Sequence, residues 1–133
     1  MPRDTKKTLK RLAARLFTLS VEDYLMSENF FDFCRKYDLW DAWNEYLVLS
    51  RDIPELYGSA VIKNAFVLFL QHILHSRPEE FPELLSLFLI DFIQELPCVL
   101  PFDDLKLDFM QLGYSETETD TMFSKIKAMN LTP

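Results

Sequence analysis

The chain has 133 residues, is 49% hydrophobic and 14% aromatic, and carries a formal net charge of -7. That length suits one domain with its own core, and the composition excludes a disordered tail. The most apolar run, residues 84–93, contains an Asp and is far shorter than the roughly twenty residues of a membrane span, so a core helix is expected there.

The charge is unevenly spread. Residues 1–15 hold Arg3, Lys6, Lys7, Lys10, Arg11 and Arg15 against Asp4. Six cations and one carboxylate leave +5 there, and therefore -12 on the remainder of a chain whose total is -7. An acidic body is a poor nucleic-acid ligand. The basic head, residues 1–17, reads first as a solubilising helix, with three conceivable counterparts beyond that: RNA, acidic lipid, or the protein's own acidic surface. A charged N-terminus with no apolar run behind it gives no signal peptide. Cys34 and Cys98 make no disulfide framework, which favours a reducing, cytoplasmic setting.

The periodicity is helical throughout, with two glycines and no hairpin turn pair. The first helix is expected over 4–17, with Leu9, Leu12, Ala13, Leu16 and Phe17 on one stripe. Ser20 and Asp23 read as a capping pair opening a second helix that begins its apolar face with Val21, Tyr24 and Leu25. Residues 30–49 are apolar on nearly every side if drawn as one helix. A break at Asp38, acting as an N-cap for a helix from Leu39, resolves this into two amphipathic pieces. Phe30, Phe33, Cys34 and Tyr37 then share one stripe, and Leu39, Ala42, Trp43, Tyr46 and Leu47 another. Phe31 and Trp40 fall off both, and either fill the junction between the two helices or stand exposed as anchors of a binding face.

Asp52, Pro54 and Glu55 read as the start of another helix ending at Arg77, with Gly58 and Ser59 as an early break. Two strongly apolar central helices are expected at about 60–76 and 82–96. The chain closes with a helical pair over 101–130. There Gly113 is a C′ residue, Ser115 and Glu118 form a capping box, and Met122, Phe123, Ile126 and Met129 point inward. The expected fold is all-α: a compact single-domain bundle, 1–133, of about six or seven helices. The segment 109–126, with its Leu-Gly-Tyr turn, resembles the helix junction of small three-helix modules. Ubiquitin-associated domains and the C-terminal domain of the Holliday-junction branch-migration subunit have such turns. The likeness covers under a fifth of the chain and carries no function with it.

Catalytic chemistry finds little footing. His72 and His75 lie three apart on one helical face, but no CxxC, HExxH or third ligand completes a metal site, and no metal or cofactor is expected. Cys34 sits on an apolar stripe, and no nucleophile elbow or phosphate loop is present. The carboxylate pairs Glu22–Asp23, Glu79–Glu80 and Asp103–Asp104 read as caps and solvated surface. The leading expectation is a non-enzymatic binding protein of the inhibitor or immunity type that occludes a basic protein partner. Asp32, Asp38, Asp41, Glu45, Asp52 and Glu55 would supply charge, with Phe31 and Trp40 as anchors. The alternatives are a scaffold subunit dimerising through its apolar helices and, more weakly, a small ribonuclease using His72, His75 and Arg77.

Overall fold

The computed structural model describes residues 5–130, with side chains through residue 128. Arg3, Asp4 and the side chain of Met129 therefore lie outside the described residues. The described chain is all-α: α1 (Thr5–Phe17), α2 (Val21–Leu25), α3 (Glu28–Lys36), α4 (Trp40–Arg51), α5 (Ser59–Ser76), α6 (Phe81–Glu95), α7 (Phe102–Gln111) and α8 (Glu116–Asn130).

The expectation of six or seven helices with two strongly apolar central ones is corrected on both counts. Eight helices are present among the described residues, with Ser27 capping α3 apart from the short α2, its hydroxyl accepting from the Phe30 amide at 3.3 Å. No helix of the described residues is long and apolar enough to cross a membrane. On α5, Gln71, His72 and His75 are half-buried or exposed, and on α6, Glu83, Gln94 and Glu95 are exposed. Their apolar residues are used within one core instead of on a second surface.

That core is built on rings. Helix α5 packs along α4 and α1, while α6 packs along α8 and α3. Between α5 and α6, Phe66 and Phe88 stack at 5.5 Å. Phe30 enters the same space from α3 and meets Phe69 at 5.7 Å and Phe88 at 5.8 Å, both edge to face. Edge-to-face contacts let the positive ring edge meet a negative ring face, so aromatic residues fill wide gaps favourably.

Two helices end in the same way. Leu39 N–H donates to Cys34 O at 2.7 Å and Asp38 N–H to Arg35 O at 3.4 Å. At the end of α7, Tyr114 N–H donates to Phe109 O at 3.3 Å and Gly113 N–H to Met110 O at 3.1 Å. Each is a Schellman closure, with Asp38 (φ 60°) and Gly113 (φ 107°) as the left-handed C′ residue. Gly113 was expected there. Asp38 was expected to open α4; it closes α3, and Leu39 takes the N-cap position of α4. Ser20 also adopts a left-handed conformation (φ 68°) and makes no side-chain cap. Asp52 is the C-cap of α4, not the start of a helix, so Pro54 and Glu55 lie in the loop before α5. The capping box at the start of α8 is complete: Glu118 N–H donates to Ser115 Oγ at 3.1 Å, and Ser115 N–H to Glu118 Oε1 at 3.0 Å.

Candidate protein-binding face

The inner faces of α3 and α4 are spent on the core. Trp43 lies edge-on to Phe30 at 5.1 Å and to Phe69 at 5.5 Å. Ser50, buried on the same side of α4, accepts from Asn64 Nδ2 at 2.9 Å, which ties the end of α4 to α5. Burial of these residues fixes the rotation of α4 and so decides what it shows to solvent.

What it shows is a stripe. Asp41, Glu45, Val48 and Asp52 follow the i, i+4, i+7, i+11 spacing of one helical face, and all four are exposed. Val48 is 53% exposed and its neighbour Leu49 50%. No ion pair engages Asp41, Glu45 or Asp52 among the described residues. The stripe thus joins three uncompensated carboxylates to an apolar centre, the composition of a contact patch with a charged rim. In the loop that follows, Tyr57 is 79% exposed.

The other expected contact residues lie elsewhere. Phe31 and Trp40 are half-buried and meet edge to face at 5.4 Å across the α3–α4 junction. The Arg35 guanidinium sits 4.5 Å from the Trp40 ring centre and pairs with Asp32 at 3.2 Å. This group of Phe31, Asp32, Arg35 and Trp40 closes the corner between two helices, and its charges answer each other. Asp38 occupies the corner itself, and Glu55 is exposed in the α4–α5 loop. The structure therefore brings Asp41, Glu45 and Asp52 together on one face and places Phe31, Asp32 and Trp40 in a separate cluster. Val48 and Leu49 were missed. Their signal was present: neither lies on the stripe of Leu39, Ala42, Trp43, Tyr46 and Leu47.

Beside this corner, α3 and α6 enclose an open groove of about 340 Å3 lined by Asp32, Phe33, Lys36, Tyr37, Ile90 and Asp91, among others. The Tyr24 hydroxyl donates to Asp91 there. Burial first, and then that carboxylate, push the Tyr24 phenol far above its ordinary range. Asp32 pairs with Arg35 and Asp91 accepts from Tyr24, while the exposed Lys36 lies 5.5 Å from the Tyr37 ring centre.

The groups considered for catalysis are dispersed. His72 Nδ1 lies 3.1 Å from the Tyr46 hydroxyl, while His75 is exposed. Arg77 is occupied by Glu80, at 3.0 and 3.2 Å, and by the Tyr37 carbonyl at 2.8 Å. Burial pushes the Cys34 thiol up to about 12 and raises that of Cys98 as well. Among the described residues no three His, Cys, Asp or Glu side chains are grouped to hold a metal ion.

The basic head turns partly inward. Arg11 Nε donates to Asp108 Oδ1 at 3.0 Å and Arg15 Nε to Asp108 Oδ2 at 2.7 Å, with Asp108 only 1% exposed. Arg11 also reaches Gln111, and Arg15 lies 3.5 Å from Asp104. Arg11 and Arg15 thus meet the protein's own acidic surface, while Lys6, Lys7 and Lys10 remain exposed.

No protein-family model, no curated protein and no solved structure matches this chain.

Proposed function

We propose that the protein is a non-enzymatic binding protein of the cytoplasm that occludes a basic protein partner, in the manner of an inhibitor or immunity protein. One observation carries the reading: Asp41, Glu45 and Asp52, which no ion pair engages among the described residues, stand on the exposed face of α4 around Val48 and Leu49. Carboxylates spaced along a rigid helix steer a cationic surface into register, and the exposed aliphatic pair gives the encounter a desolvated centre. Acidic charge over the rest of the body adds to the attraction at distance. Phe31 and Trp40 keep this platform in place from beneath the α3–α4 corner.

Affinity capture from the native host with the tagged protein, eluted by a salt gradient and read by mass spectrometry, tests this. The wild type should retain one basic protein that elutes at raised salt. The triple variant Asp41→Lys/Glu45→Lys/Asp52→Lys should lose it while keeping its helicity. Retention of the same protein by the triple variant, or capture of further copies of this chain alone, would overturn the reading.

A further inference from the structure

We propose that the groove between α6 and α8 is a binding site for an alkylammonium ligand, a primary ammonium on an aliphatic stem. It rests on observations separate from those on α4.

The groove encloses about 310 Å3 and is lined by the segment entering α6, its first turns and one face of α8. Three carboxylates, Glu79, Glu83 and Glu118, face one ammonium, Lys125, so its lining is net negative. Glu118 is partly committed to the Ser115 amide, and no ion pair engages Glu79 or Glu83 among the described residues. The other carboxylates of α8 are treated differently: Glu116 and Asp120 both pair with Lys106, at 2.9 and 3.0 Å.

Acidity alone would not mark a site. The second observation is Ser86, which lines the groove and is 2% exposed. Its Oγ is the one buried side-chain polar atom among the described residues without a hydrogen-bond partner. A helical hydroxyl ordinarily satisfies itself on the carbonyl four residues back. Thr119, Thr121 and Ser124 of α8 do so, at 2.8 to 2.9 Å. Ser86 does not, and a buried hydroxyl left unpaired costs free energy until a partner arrives.

The lining also selects the class of cation. The carboxylates are not grouped to hold a metal ion. Pro82 and Met122 add apolar surface beside them. A ligand suited to both is a cation with length: its N–H groups reach Ser86 Oγ and Glu83, and its methylenes lie on Met122 and Pro82. A free polyamine and the lysine side chain of a partner share this chemistry.

Calorimetric titration of the full chain with spermidine, and separately with N-acetyl-lysine N-methylamide, tests the site. Saturable one-to-one binding of either supports it, and the one that binds identifies the source. Glu83→Gln should weaken that binding about tenfold, as loss of a charge-assisted hydrogen bond does. Ser86→Ala should weaken it severalfold while leaving the urea midpoint of the free protein unchanged or raised, since the hydroxyl it removes bonds nothing. No saturation with either ligand, or equal affinity in wild type and both variants, would overturn the proposal.

Discussion

Around Phe30 the bundle is fastened by rings, and at the seam between α1 and α7 by charge. Phe30 lies within 5.1 to 6.3 Å of Tyr24, Phe33, Trp43, Phe69 and Phe88, which joins α2, α3, α4, α5 and α6 at one point. Asp108 does a comparable job with two guanidinium groups and no ring. The rings act through area and dispersion, so the loss of one leaves a cavity and many weakened contacts. The carboxylate acts through a few directed bonds, so the loss of one partner leaves charge without an answer. The first kind of joint tolerates a change of shape poorly, and the second a change of sign.

Substitutions separate the two, from the largest effect downward. Phe30→Ala should lower stability by about 3–5 kcal/mol in urea denaturation, as truncation of a buried phenylalanine does. A loss below about 1 kcal/mol would mean that the surrounding rings close over the gap. Asp108→Ala should cost about 2 kcal/mol, less than a fully buried pair because both guanidinium groups keep access to water. Replacing Arg11, Arg15 and Asp108 together by Leu should cost less than Asp108→Ala alone, because no charge is then stranded. If the triple change proves worse, the seam owes its strength to the ion pairs themselves.

Tyr114 stands between the two kinds of joint. Its ring stacks on Phe81 at 6.0 Å and its hydroxyl donates to the Pro78 carbonyl at 2.7 Å. Tyr114→Phe should cost about 1 kcal/mol. Burial first, and then Glu118, push this phenol up to about 12 from its ordinary value of 10.0. The neutral form is thus favoured in the folded state. Its contribution is complete below pH 10 and is lost as pH rises from 10 to 12, so the wild type should weaken more steeply over that window than Tyr114→Phe. In native protein at pH 8, iodoacetamide should modify the half-buried Cys98 before the buried Cys34, and equal rates would show that the ring core opens readily. The smallest effect belongs to the outer face of α4, where Val48→Ser should change stability by about 0.5 kcal/mol or less.

Much of this architecture is legible locally. The stripe of Leu9, Leu12, Ala13 and Leu16, the turn at Gly113 and the box of Ser115 and Glu118 are each written within a few residues. Asp38 and Asp52 misled because a short polar side chain serves either end of a helix, whereas Ser20 stands at the N-cap of α2 as expected and lacks only the side-chain bond. Only the backbone angle separates a C′ residue from an N-cap, and in Asp38 that angle is set by the Schellman bonds to Cys34 and Arg35. On α4, Asp41 and Glu45 are readable as one face, whereas Asp52 reads as the start of the next helix and the depth of Phe31 and Trp40 depends on the angle at which α3 meets α4. Asp108 sits at the i+3 place of the stripe of Leu105, Phe109 and Leu112, a carboxylate on an apolar face. What answers it has no local signal and appears only when α1 is laid beside it.

That last separation has a consequence in time. Arg11 and Arg15 precede Asp108 by 97 and 93 residues. At about 5–20 residues per second, a ribosome makes α1 about 5–20 s before it makes their shared carboxylate. For that interval the two guanidinium groups lack the carboxylate that answers them in the finished fold. The seam can close only late in synthesis, and a chain lacking Asp108 would remain in the condition of its own unfinished precursor.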